Sequence, residues 1–146
     1  MYLLVIIFVL QFIKTDECFA TAPPNSAAPE IPIIPCQTCA APAVTPIPAA
    51  AEATGDFRTG VGSVAAGEPV TEAMCKTFVI TCQAEDNAVS IGPNDRTDAA
   101  LAGPATGEEL TATVVCNQDG VLEGQTVIPA GERIIIMSVY CTVSVP

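Results

Sequence analysis

The sequence predicts an all-β fold: a small, disulfide-stapled, β-sandwich-like domain preceded by a signal peptide and a Pro/Ala-rich arm. Three observations predict it. Several short runs rich in β-branched residues are bounded by turn residues, and no stretch holds a helical period long enough for a real helix. Half of the 146 residues are apolar, yet aromatics make up only 5% and tryptophan is absent. A core of alanine, valine and isoleucine contributes little per buried side chain, and seven cysteines answer that weakness with covalent ties.

The N-terminus indicates the compartment. Residues 2–13, YLLVIIFVLQFI, are too short to span a bilayer and suit the apolar core of a signal peptide. Cleavage after Ala20 leaves small residues, Ala20 and Cys18, at the last and third-last positions of residues 1–20. Cys18 then departs with the leader, and six cysteines remain: Cys36, Cys39, Cys75, Cys82, Cys116 and Cys141. An even count in an oxidising secretory route predicts three disulfides and a secreted, extracellular protein. The C-terminal run 134–146 alternates, and reads as strand rather than as a membrane anchor, so no span remains after signal cleavage.

The mature chain carries 14 acidic and four basic residues, a net charge of −10. Such a surface lacks the cations that neutralise phosphates, which excludes nucleic acid and disfavours anionic membranes.

Residues 21–50 hold eight prolines and eight alanines. Proline removes backbone donors, so this stretch reads as extended and solvent-exposed, with Thr38 and Thr45 as O-glycan candidates. The arm proper is residues 21–35, and the six-cysteine domain is residues 36–146. Residues 51–73 are polar and glycine-bearing, with at most a helical turn at AEA or VAA.

Three strands come next: 75–82 (CKTFVITC), 110–116 (LTATVVC) and 133–145 (RIIIMSVYCTVSV). The 83–109 connection is turn-rich, with weak strand at AVSI, and VLEGQTVI predicts one or two short strands. Two small sheets packed face to face would use them all.

Side-chain alternation aims the sulfurs. Cys82 shares a face with Phe78 and Ile80, and Cys116 with Val114 and Ala112. Cys141 shares one with Ile135, Met137, Val139, Val143 and Val145. Cys75 has the opposite parity to Cys82. Cys82, Cys116 and Cys141 therefore approach the core, while Cys75, Cys36 and Cys39 staple the arm to the outside, with at least one arm cysteine bonded to Cys75. Six cysteines allow about fifteen connectivities, and spacing does not choose among them.

The frame of CQTC, then CKTFVITC, then VVCNQDG, then a terminal SVYC resembles the nematode six-cysteine domain family of secreted proteins. The resemblance covers about residues 36–141. Val121 stands where that pattern commonly places an aromatic after the glycine. What the resemblance implies is an extracellular domain with three disulfides and no established activity.

Chemistry is sparse. Histidine is absent, which removes Ser/His/Asp and Cys/His nucleophilic sites and His-based zinc sites. CQTC sits among prolines rather than at a helix N-terminus, so a redox pair is disfavoured. A four-cysteine zinc site needs a second closely spaced pair, and Cys75 and Cys82 are too far apart. Asp86, Asp95, Asp98, Glu108 and Glu109 read as a solvated acidic loop rather than a calcium loop, which would need a closing glutamate. No catalytic, cofactor or metal residues are expected, and the protein is expected not to be an enzyme. The expectation is a non-enzymatic binding or interaction module for an extracellular protein or glycan. The alternatives are a structural component of matrix, cuticle or mucus, and a small protease inhibitor presenting a rigid loop, with 92–107 the candidate.

Overall fold

The computed structural model describes residues 32–146; the expected signal peptide and residues 21–31 of the arm lie outside them. In chain order the strands are β1 (Ala43–Val44), β2 (Phe57–Thr59), β3 (Gly62–Ala66), β4 (Thr77–Cys82), β5 (Val89–Pro93), β6 (Ala102–Ala105), β7 (Leu110–Cys116), β8 (Leu122–Val127), β9 (Ala130–Ile135) and β10 (Ser138–Ser144). One turn of helix, α1 (Ala49–Glu52), and a 3-10 turn at Pro35–Gln37 complete the regular structure of these residues. The first sheet runs β1-β10-β5-β6, with β2 also paired to β10; the second runs β3-β4-β7-β8-β9.

The fold is thus mostly β, and both sheets contribute to one core. Phe78, Ile80, Val114 and Leu122 enter it from the second sheet, and Val89, Ile91, Val139 and Val143 from the first. Alternation places them there: in β7, Ala112, Val114 and Cys116 are buried while Thr111 and Thr113 are exposed.

Three expectations need correction. The run 133–145 is two strands in different sheets. Asn94, at φ 52°, accepts hydrogen bonds on Oδ1 from the amides of Met137 (2.8 Å) and Ser138 (3.2 Å). Its Nδ2 donates to the Ile135 carbonyl at 2.9 Å. That clamp breaks the alternation between β9 and β10. Val139, Cys141 and Val143 face inward as expected, but Ile134 and Ile136 turn in while Ile135 and Met137 are 48% and 76% exposed.

The 83–109 connection contains β5 and β6. Far from a weak strand, β5 lies inside the first sheet, paired with β10 on one side and β6 on the other. Its sequence, VSIGP, looks like a breaker because it ends in Gly-Pro, but its neighbours supply the pairing that its own propensity lacks.

The proline-rich stretch is fastened down beyond residue 35. β1 pairs in parallel with β10, Ile47 is buried, and α1 packs Ala51 against Tyr140. VAA is in strand β3 rather than a helical turn. Between β2 and β3 the chain crosses from the first sheet to the second. A Cβ at Gly62 would stand 2.4 Å from Cys141 Sγ, and one at Gly60 2.9 Å from Val143 Cγ2. Only glycine lets the backbone pass that close.

Candidate functional site

The six cysteines form three bridges: Cys36–Cys75, Cys39–Cys116 and Cys82–Cys141, with Cα separations of 4.8, 5.8 and 5.8 Å. Cys36 and Cys39 are not bonded to each other, so CQTC is a double anchor. Its first cysteine ties the chain to Cys75, just ahead of β4, and its second ties it to the end of β7. The expected arm-to-Cys75 bond is present. The arm cysteines and Cys75 are nevertheless buried with the core rather than set outside it. Cys82–Cys141 joins the two sheets through the centre. In a small domain such bridges stabilise by restricting the unfolded chain, roughly 2–4 kcal/mol each.

A groove lies on the outer face of the first sheet. Alternation puts Val89 and Ile91 in the core and leaves Ser90 and Gly92 facing out, and likewise Tyr140 and Thr142 on β10. These four form the floor. Register pairs Gly92 with Tyr140 and Ser90 with Thr142. One wall is built by α1, the chain after it and the start of β2: Ala50, Ala51, Thr54 and Phe57. The other is 97–100, with Ile128 from the β8–β9 turn. The volume of this half-open groove is about 480 Å³.

Tyr140 organises the floor. Only 3% of its surface is exposed, and its hydroxyl donates to the Arg96 carbonyl. Burial raises its pKa, and the carboxylates of Asp98 and Asp95 add to the shift by disfavouring a second negative charge. Arg96 in turn donates to Asp98 (3.1 and 3.0 Å) and to Glu132 (2.9 Å). The hydrogen bonds from Arg96 hold the Asp98 carboxyl below its usual range, and those to Asp98 and Glu132 raise the guanidinium further.

Among the described residues no cluster of three or more acidic, cysteine or histidine side chains could hold a metal ion. Asp98 is engaged with Arg96, and Glu108 and Glu109 lie outside the groove lining. Residues 92–107 are not one exposed loop, because Ala99, Ala100, Leu101 and Ala102 are buried. Thr38 Oγ1 donates to the Pro35 carbonyl, and the half-buried Thr45 to that of Val139.

Sequence reasoning missed the groove. The one signal was Tyr140: a bulky aromatic on the outward parity of a strand whose inward residues are all core. The chain matches no family model, and no curated protein or solved structure matches it.

Proposed function

We propose that the chain is a secreted, non-enzymatic β domain of sandwich-like build, and that it binds its ligand in the groove on the outer face of the first sheet. The observation that carries the reading is the groove itself. It joins apolar walls to a floor offering two hydroxyls, and pre-formed pockets of this kind and size are where small ligands and side chains of partners seat. The floor strand β10 is tied to β4 by Cys82–Cys141, which keeps the site rigid in the absence of ligand. Three disulfides in a domain of this size suit an oxidising compartment. The likeness of its cysteine frame to nematode six-cysteine secreted domains supports the same compartment, and adds no activity.

The test uses an accident of composition. The mature chain has no tryptophan, and Tyr140 is its one tyrosine, so intrinsic fluorescence reports the groove floor alone. Titration with the neutral apolar dye N-phenyl-1-naphthylamine is expected to give saturable dye emission together with a change in Tyr140 fluorescence. Ser90→Leu, which fills the floor, is expected to remove both. Binding unaffected by Ser90→Leu would place the ligand elsewhere and end this reading.

A further inference from the structure

We propose that the groove accepts a basic, apolar segment of another extracellular protein: an extended peptide in which lysine or arginine flanks an aliphatic side chain. This inference rests on the groove being the binding site and goes on to name its occupant.

Charge complementarity carries the argument. Residues 32–146 contain four cations, and each is already engaged. Arg58 pairs with Glu85 at 2.9 Å, Arg96 with Asp98 and Glu132, Arg133 with Glu123 at 3.1 Å, and Lys76 Nζ donates to the Cys39 carbonyl. The carboxylates outside these pairs are mostly exposed, and some adjoin the groove-lining segments in sequence. Glu52 and Asp56 are exposed on the segment that forms one wall; Asp98, paired with Arg96, lines the opposite one, and the exposed Asp95 lies just ahead of it in sequence. Asp95, Asp98 and Glu132 outnumber Arg96, so that side stays negative. The Tyr140 pKa is raised first by burial, and Asp98 and Asp95 add to the rise at the floor. Between these rims the walls are mainly apolar, with Ala50, Ala51, Phe57, Ala99 and Ile128 interrupted by Thr54 and Thr97.

The same charges argue against other occupants. A second copy would bring its own acidic surface and no unengaged cation among the described residues. Residues 21–31 of this chain, TAPPNSAAPEI, contain one glutamate and no basic residue. An anionic lipid surface would be repelled.

Three peptide amides without aromatic residues test the idea against Tyr140 fluorescence: acetyl-KLKLK, acetyl-KSKSK and acetyl-ELELE. Saturable binding is expected for the first only. It should weaken roughly fivefold or more between about 50 mM and about 500 mM salt, as the Debye length shrinks. Glu52→Gln/Asp56→Asn should weaken it several-fold, and Ser90→Leu should abolish it, with both variants retaining the wild-type circular dichroism. Equal binding of KSKSK would mean bulk attraction with no use of the apolar walls, and equal binding of ELELE would mean that charge plays no part; either overturns the proposal. If no peptide binds while N-phenyl-1-naphthylamine still does, the inference falls and the groove stands. If neither binds, both fall.

Discussion

The ring of Tyr140 occupies the space where its cross-strand partner Gly92 would carry a side chain. A Cβ built on Gly92 would meet Tyr140 Cζ at 2.1 Å and its Cε2 at 2.4 Å. The ring fills the place where a side chain on β5 would stand, and this lets its hydroxyl reach the Arg96 carbonyl. Gly92→Ala must expel the ring. We expect a loss of about 1–3 kcal/mol from overpacking, read as a lower Tm, together with a return of the Tyr140 pKa toward that of free tyrosine. Tyr140→Phe keeps the ring and removes one hydrogen bond, so its cost should be smaller, about 1 kcal/mol. A Gly92→Ala protein as stable as wild type would contradict the packing.

Ionisation of Tyr140 gives stability a pH dependence at the alkaline end. Its pKa is raised in the folded state, by burial first and by Asp98 and Asp95 second. Above about pH 10 the unfolded chain loses the phenolic proton while the folded one keeps it. The contribution is therefore complete below about pH 10 and disappears as pH rises through the folded-state value. Tyrosinate absorbance should show one delayed titration in the mature protein, and chemical denaturation at increasing alkaline pH should show falling stability. The slope of that fall should be smaller in Tyr140→Phe.

Gly62 and the Cys82–Cys141 bridge are expected to be energetically coupled. A methyl at Gly62 collides with Cys141 Sγ, and its next neighbour, the Thr81 carbonyl, is 3.4 Å away. Gly62→Ala should cost about 1–3 kcal/mol in the intact protein. In Cys82→Ala/Cys141→Ala, itself weakened by about 2–4 kcal/mol, the same substitution should cost much less. A double-mutant cycle from denaturation curves measures the difference, and additivity would show that the two do not touch.

Asn94 holds the β9–β10 break through three hydrogen bonds while adopting a left-handed backbone. Asn94→Ala strips all three and leaves the backbone strained, for an expected loss of about 2–4 kcal/mol. Asn94→Asp keeps the acceptor for Met137 and Ser138 and loses only the donor to Ile135, so it should fall between alanine and wild type. Hydrogen exchange at the Met137 and Ser138 amides should speed up in alanine and much less in aspartate.

Non-reducing peptide mapping of protein secreted by a eukaryotic host should recover Cys36–Cys75, Cys39–Cys116 and Cys82–Cys141. Intact mass should give a chain starting at Thr21, with no thiol alkylated before reduction and six after it. A bond between Cys36 and Cys39, or free thiols there, would contradict the double anchor.

Much of the fold was legible because strand alternation is local. Cys82, Cys116 and Cys141 could be aimed inward from their neighbours alone, and β4 and β7 from their β-branched runs. The groove was not legible, because its lining residues are scattered from Ala50 to Thr142 and look ordinary one by one. Serine, glycine and threonine on strand faces carry no signal until pairing sets them beside a tyrosine.

The parity of β4 and β7, the absence of histidine, the acidic composition and the inward aim of Cys82, Cys116 and Cys141 could all be read from the residues in order. Three things were decided only when the chain folded: which cysteines meet, where residues 133–145 leave one sheet for the other, and that a stretch as unpromising as VSIGP sits inside the first sheet. The reason is range. Parity is set between neighbouring residues of one strand, whereas the bridges close separations of 39, 77 and 59 residues, and the β9–β10 break depends on the side chain of Asn94, 43 residues from Met137.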